Sequence, residues 1–226
     1  MLASIFAFPT SRFGDQTTGS SGLPLPTTLG DVQVFVAGVA APLLYVSPGQ
    51  INFQVPKATP LGPQEIQVQR ASTGQVLSSW IFRFDAVSPG LFTANSTGTG
   101  QLAATNQDNS PNDGGHPAKA GSIITLYGTG QGLVDALPPD GQANPSGAFS
   151  TSEKPKVIIN GPDFVPDGDV QFSGLAPGFV GLWQINVKVP LDVPPADVIV
   201  VVSFHGLFSN QDANGIRRTT TIRVTP

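Results

Sequence analysis

The amino-acid sequence predicts an all-β fold made of two tandem immunoglobulin-like β-sandwich domains. Glycine (26 residues) and proline (22 residues) together form about a fifth of the 226-residue chain, which is well above ordinary usage. Apolar stretches of strand length lie between the Gly/Pro clusters, as expected for short strands joined by tight turns. In addition, a strand-like heptapeptide occurs twice, at residues 50–56 and 184–190.

The two heptapeptides occupy the same place in two similar series of predicted elements. Each half opens with an apolar strand, continues through a long Gly/Pro/Ser-rich loop and reaches an alternating strand that ends in a turn. A Pro-Gly turn precedes the heptapeptide, and two more strands close the half. Six or seven strands in about 90–110 residues fit an immunoglobulin-like sandwich. The predicted strands are 2–6, 32–36, 50–56, 65–70 and 77–84, then 123–127, 157–159, 184–190, 198–204 and 219–224, with long loops at 9–30 and 128–153.

The composition also predicts where the domains begin and end. We expect a first domain over residues 1–92 and a second over residues 117–226. Residues 93–116 are rich in Asn, Thr, Ser and Gly and are predicted to be a linker that contains a short strand at 101–105.

Alternation assigns the two faces of the repeated strand. Ile, Phe and Val face the core, whereas Gln and Asn form a polar stripe that both halves share. Trp80 and Trp183 fall on the core side by the same parity. Because the stripe keeps residue identity as well as polarity, we predict that its amides bond specific backbone groups. The stripe consists of Gln50, Asn52, Gln184 and Asn186.

One predicted strand is apolar on both faces. Residues 198–202 read Val-Ile-Val-Val-Val, whereas their counterparts at 66–69 alternate. The outer face of a sandwich strand is normally polar. We therefore predict that Ile199 and Val201 are covered by the other domain, the linker or a partner chain. A central position within their own domain is the alternative.

Charge and cysteine content exclude several classes of function. Only 12% of the residues are charged and the formal net charge is −4, which disfavours nucleic-acid binding. The chain has no cysteine and hence no disulfide or thiolate site. No apolar stretch approaches the ~18–20 residues of a membrane helix. The apolar N-terminus lacks a preceding Lys or Arg, so we interpret it as a strand and expect Met1 to begin a fragment of a longer exported protein.

A polar loop carries the only residues that suggest a cofactor. Its oxygen-bearing side chains have the alternating spacing of a calcium loop, but the bidentate Glu of an EF-hand is missing and Pro111 restrains the backbone. Asx-turns explain the same residues without an ion, and we prefer that interpretation. The calcium candidates are Asn106, Asp108, Ser110 and Asn112, and a weaker acidic cluster consists of Asp163, Asp167 and Asp169.

No residue pattern indicates catalysis. His116 and His205 are the only histidines and are far apart in sequence. The glycine-rich segment 128–132 is not followed by a predicted helix and so lacks the amide cradle of a phosphate-binding loop. We therefore predict that the chain is not an enzyme.

Motifs that resemble a known family occur along nearly the whole chain. They lie at residues 24–32, 41–56, 88–92, 103–108, 117–121 and 127–130. These segments resemble an uncharacterised domain at the C-termini of large exported Acidobacteria (Solibacter-type) proteins, and Asn109 departs from its pattern, where the family more often has Gly. Each half also resembles an IPT/TIG-type immunoglobulin domain, in which a Gly-Thr-Gly-like turn follows the first strand. The resemblance implies this fold and an extracellular or cell-surface location, and it implies no enzymatic activity or ligand.

These observations favour a non-catalytic module that spaces, anchors or displays a larger exported bacterial protein. Its expected partners are other domains of that protein or other surface proteins. A carbohydrate-binding accessory module is the second hypothesis, although it usually needs exposed aromatic rings. A self-assembling surface filament subunit is the third, because unpaired strand edges can accept a neighbouring chain.

Overall fold

The computed structural model describes residues 1–8, 12–147, 149–211 and 214–226. Within these ranges the regular structure is β, apart from one 3₁₀ turn at Asp167–Asp169. The all-β prediction is confirmed. Residues 9–11, which belong to the predicted loop 9–30, lie outside the described residues. No helix in the described ranges is long and apolar enough to cross a membrane.

The chain divides into two compact units whose limits differ from the predicted domains. Residues 93–116, predicted to be a linker, lie within the second unit because Leu102 and Ala104 are buried in its core. Two short segments from the second half of the chain belong to the first unit. The first unit consists of Met1–Ala86, Ala136–Gly147 and Pro177–Gly181, and the second of Val87–Asp135, Ala148–Ala176 and Leu182–Pro226.

The first unit contains two antiparallel sheets around one core. One sheet has the strand order β1-β6-β5-β2 and the other has the order β4-β3-β7-β8. The strands are β1 (Leu2–Phe6), β2 (Thr18–Gly19), β3 (Val32–Val36), β4 (Val39–Ala40), β5 (Leu43–Val46), β6 (Gln50–Gln54), β7 (Gly62–Arg70) and β8 (Val76–Phe84).

The second unit also places its core between two sheets. Its strands are β9 (Gly90–Leu91), β10 (Gly100–Gln101), β11 (Ala104–Asn106), β12 (Ala118–Lys119), β13 (Ile123–Thr129), β14 (Lys156–Ile159), β15 (Val170–Leu175), β16 (Trp183–Lys188), β17 (Asp197–Phe204), β18 (Leu207–Phe208) and β19 (Thr220–Thr225). One sheet has the order β11-β13-β16-β15, with β9 on β13. The other has the order β10-β19-β17-β14, with β12 on β19 and β18 on β17.

The strand pairing repeats between the units. The trio β13-β16-β15 pairs as β1-β6-β5 does, and β14-β17-β19 pairs as β3-β7-β8 does. Even the register irregularity recurs, since the β5/β6 pairing shifts between Leu43 and Tyr45 and the β15/β16 pairing shifts between Val170 and Phe172. The sequence repeat therefore corresponds to a repeat of sheet topology.

The repeated strand supplies the centre of each core. Ile51 and Phe53 of β6 are buried, as are Ile185 and Val187 of β16. Trp183 is fully buried, and its indole N–H donates to the Ser173 hydroxyl over 2.9 Å. These burials follow the predicted alternation.

Trp80 departs from the prediction that both tryptophans are core residues. It is only half-buried, because β8 is the edge strand of its sheet and pairs only with β7. Phe13 packs edge-on against Trp80 with 6.4 Å between ring centroids. On the same face of β8, Phe82 is 57% exposed.

The burial of the second unit predicts that two of its isoleucines contribute very differently to the free energy of unfolding. Ile222 of β19 is fully buried, whereas Ile199 of the adjacent strand β17 is 48% exposed. We expect Ile222→Ala to lower the free energy of unfolding by about 2–5 kcal/mol. Ile199→Ala should change it by less than about 1 kcal/mol. Urea unfolding followed by Trp183 fluorescence in a Trp80→Phe background measures both, and equal losses would contradict the assigned faces.

Candidate functional sites

The polar stripe makes the same side-chain bonds in both units. The amide N–H of Gln50 donates to Oδ1 of Asn52 over 2.7 Å, and that of Gln184 donates to Oδ1 of Asn186 over 2.9 Å. A hydroxyl on the neighbouring strand donates to each of the same oxygens, from Ser4 over 2.8 Å and from Thr125 over 3.2 Å. The predicted backbone partners are therefore replaced by side chains, because the residue directly opposite each Asn carries a hydroxyl.

The loop predicted as a calcium candidate is instead a network of mutual hydrogen bonds. Asn106 donates to the Ser110 hydroxyl over 3.0 Å and to the His116 carbonyl over 2.8 Å. The Asp108 carboxylate accepts from both the backbone N–H and the hydroxyl of Ser110. These are the Asx-turn contacts of the alternative interpretation, and they already engage oxygens that a cation would need.

Asn112 anchors this loop to the sheet. It is 3% exposed and its side-chain amide donates to Oδ1 of Asn106 (2.9 Å) and to the backbone carbonyl of Arg223 (2.8 Å). Its Oδ1 accepts from the side chain of Gln101 over 2.8 Å and from the backbone N–H of Arg223 over 2.7 Å. The fourth calcium candidate is thus a buried structural clamp.

The acidic and imidazole groups near the loop are stabilised by local bonds. Backbone N–H donors, first His116 and then Gly115, hold the pKa of Asp113 below its usual range. The Ser110 hydroxyl, followed by its backbone N–H, lowers the pKa of Asp108. A lowered folded-state pKa stabilises the loop above the ordinary carboxyl pKa, and this contribution is lost as the pH falls through the lowered value.

The described ranges contain no group of three or more His, Asp or Glu side chains placed to share a metal ion. His116 contacts Asp113 at 3.0 Å, and His205 contacts Glu153 at 3.4 Å. Lys156 forms an ion pair with Asp167 of the second acidic cluster. The two histidines are therefore engaged in separate surface pairs.

The strand predicted to be covered has an open outer face. Val198, Val200 and Val202 of β17 are buried in the core, but Ile199 is 48% exposed and Val201 is half-buried. Ile158 of β14 lies directly opposite Val201. Together, Ile158, Ile199 and Val201 form an apolar strip across two strands, which we call the β17 strip.

The β17 strip is the floor of a groove of about 500 Å³. Its walls include Asn160, Arg217 and Arg218. The guanidinium of Arg217 lies 5.1 Å from the centre of the Phe208 ring, and one N–H of Arg218 donates to the Thr97 carbonyl over 3.0 Å. In the described part of the chain neither arginine forms an ion pair. The groove therefore combines an aliphatic floor with two positive charges.

Sequence reasoning missed these arginines as site residues. They lie in the chain just before β19, well after Ile158, Ile199 and Val201 in sequence, and only the fold brings them together. The adjacent pair Arg217-Arg218 in a chain with 11 basic residues was the available signal.

No family model and no curated protein matches the chain. Among solved structures, one similar chain is that of SGBP-B from the Bacteroides ovatus mixed-linkage glucan utilization locus, in complex with a mixed-linkage heptasaccharide. The two chains are 13% identical with a TM-score of 0.38, over 98% of this chain and 46% of that chain. This chain thus spans less than half the length of that structure. Likeness at this level identifies neither the fold nor a ligand of this chain.

The buried bonds of Asn112, one of the four calcium candidates, predict a large loss of stability when this residue is replaced. We expect Asn112→Ala to lower the free energy of unfolding of the second unit by about 3 kcal/mol, because buried donors and acceptors lose their partners. Asp108→Asn, on the exposed side of the same loop, should leave the free energy of unfolding nearly unchanged. Urea unfolding with and without calcium measures both. A calcium-dependent rise in stability that Asp108→Asn abolishes would contradict the network as described.

Proposed function

We propose that this chain is a non-catalytic structural or interaction module of a larger exported bacterial protein, acting outside the cell or at its surface. The observation that supports this most strongly is the β17 strip with its two arginines. Single exposed apolar residues are normal on protein surfaces, but here Ile199 and Val201 share one face of β17, and this face continues onto Ile158 of β14, which is itself buried.

The surroundings of the strip favour a protein partner over a small apolar ligand. The floor offers aliphatic contacts, and the Asn160 side chain on the wall can bond a polypeptide backbone. Apolar contact combined with a few polar groups is typical of recognition sites. The partner we propose is a neighbouring domain of the same exported protein or another surface protein.

The charges specify the partner further. Arg70, Arg83 and Arg223 each pair with a carboxylate within the chain, whereas Arg217 and Arg218 pair with no carboxylate among the residues that the structure describes. A guanidinium group binds carboxylates through paired N–H donors more strongly than it binds neutral acceptors. The segment that covers the strip should therefore carry Asp or Glu beside an aliphatic residue.

Site-specific crosslinking tests this proposal. A photoactivatable amino acid at position 199, in the protein expressed by its own host, should crosslink to a defined polypeptide. The same group at Leu191, which is 77% exposed in the same unit, is the matched control. Arg217→Gln combined with Arg218→Gln should reduce the yield from position 199 about tenfold, equivalent to about 1.4 kcal/mol.

Two outcomes would overturn the proposal. One is equal, nonspecific crosslinking from positions 199 and 191. The other is a hydrolase activity of the purified chain. If a defined partner is crosslinked but the yield does not change when both arginines are substituted, the strip is an interface. The prediction that the partner carries Asp or Glu is then wrong.

Carbohydrate binding is a second candidate, and one observation favours it. Phe6 and Phe8 of the first unit are 65% and 67% exposed, and Phe6 lies directly opposite Gln50 of the polar stripe. An exposed ring beside an amide offers both stacking and hydrogen bonding to a sugar. The second unit has Tyr127 opposite Gln184 in the equivalent place.

Retention on a panel of insoluble polysaccharides tests this second candidate. Phe6→Ala should weaken retention about tenfold if the ring contributes about 1.4 kcal/mol. Phe164→Ala, which removes a 45% exposed ring from the second unit, should leave retention unchanged. No retention of the unsubstituted chain on any polysaccharide would refute the candidate.

A further inference from the structure

The second unit shows how an edge of this fold is completed. Strand β19 pairs with β17 on one side, and on the other side it pairs in parallel with β10 and β12. Gly100 N–H and Leu102 N–H donate to the carbonyls of Thr219 and Thr221 over 2.7 and 2.8 Å. The segment that contains β10 and β12 also buries Leu102 and Ala118 in the core.

The equivalent edge of the first unit has no such strand in the described ranges. Strand β8 corresponds to β19 and pairs antiparallel with β7. None of the backbone hydrogen bonds of the described residues joins β8 to a strand on its other side. This edge is nine residues long, so it presents several unpaired backbone groups in a row.

The core-facing side chains along this edge are left incompletely covered. Trp80 lies opposite Ile66 and faces the core but is only half-buried, and Phe82 is 57% exposed. The turn bonds from Ala37 N–H to Glu65 and from Asn160 N–H to Ile199 align the two units, so that Val198 corresponds to Gln64. Ile222 lies opposite Val198 as Phe82 lies opposite Gln64, but Ile222 is fully buried. The same fold therefore closes its core in one unit and leaves it open in the other.

Strand β8 has only one of the features that protect natural edges, a bulge at Leu77 between the paired residues Val76 and Ser78. It contains no proline and no lysine, and Arg83 is its only charged residue. Proteins usually guard long edges with inward charges, proline or bulges. Its Trp80 and Phe82 instead present apolar rings where a neighbouring strand would lie.

We infer that β8 is a docking edge that accepts an extended segment of another polypeptide as an added parallel strand. The chemistry of that segment follows from the strand that fills the equivalent place in the second unit. Residues 98–106 read Gly-Thr-Gly-Gln-Leu-Ala-Ala-Thr-Asn, an uncharged stretch of small and aliphatic residues. Its residues 100–102 bond to β19, and its residues 104–106 continue into the other sheet, where they pair with β13. Such a segment supplies a backbone ladder to the edge and apolar contacts to Trp80 and Phe82, which is the β-augmentation mode of recognition.

Hydrogen exchange of the full chain with a synthetic peptide tests the inference. The probe is the nonapeptide Gly-Thr-Gly-Gln-Leu-Ala-Ala-Thr-Asn, and a scrambled nonapeptide of the same composition is its control. At about ten times its Kd, the probe should slow exchange of the 76–84 amides about tenfold. Acrylamide quenching of fluorescence should fall as well, because Trp80 is the half-exposed tryptophan and Trp183 is already buried.

The substitution Phe82→Lys places a charge on the core-facing side of the edge and should abolish both effects. Unchanged protection of β6, a central strand of the other sheet of the first unit, shows that the unit carrying the substitution is still folded. No protection by the probe, or equal protection by the scrambled peptide, would overturn the inference. The inference would also be overturned if the 76–84 amides were protected without peptide, more strongly at higher protein concentration, and if light scattering showed dimers. The segment that occupies the edge would then be a second copy of the chain. The β17 strip plays no part in this experiment.

Discussion

The structure depends on a repeated strand whose two faces have different chemistry. Its aliphatic face fills the centre of each core, and its Gln–Asn pair meets a hydroxyl on the neighbouring strand. A shift of one residue in register would move every aliphatic side chain into water. Each Asn–hydroxyl bond adds a second penalty to such a shift, because it forms only when those two residues are opposite each other. Burial and polar contact therefore select the same register in both units.

From this common centre the two units diverge at their edges. The second unit uses residues 98–119 to complete the β19 edge and to cover the core with Leu102, Ala104 and Ala118. The Asn112 clamp ties the same segment to the backbone of Arg223. In the first unit, Trp80 and Phe82 stand at the corresponding edge. A segment with the composition of a flexible linker is thus a structural part of one sandwich.

This difference also explains which features the sequence could predict. Period-2 alternation identified the faces of β6 and β16 because burial of alternate residues is a local pattern. The exposure of Trp80 depends on whether another strand lies beside β8, and a local sequence pattern contains no information about that neighbour. The polar composition of 93–116 indicated a linker, yet Leu102 and Ala104 are buried because their backbone pairs with distant strands. Likewise, the spacing of Asn106, Asp108, Ser110 and Asn112 fitted both an ion site and mutual bonding, and only the geometry distinguishes them.

The exposed apolar surfaces are the features from which both proposals about function are drawn. The β17 strip is a sheet face with arginines beside it, whereas β8 is a strand edge with apolar rings, so they suit different kinds of partner. Only the β8 edge has a completed counterpart in the same chain, which is the β19 edge. One sandwich plan is therefore completed in the second unit and left open in the first.

Native-state hydrogen exchange of the free protein tests this claim most directly. The amides of β8 should exchange through local opening, with protection far below that of β19, because paired strands flank β19 on both sides and β8 on one. The exchange of β7 and β17, which are central strands in their sheets, provides the internal reference for each unit. Equal protection of β8 and β19, each relative to its own reference, would contradict the account.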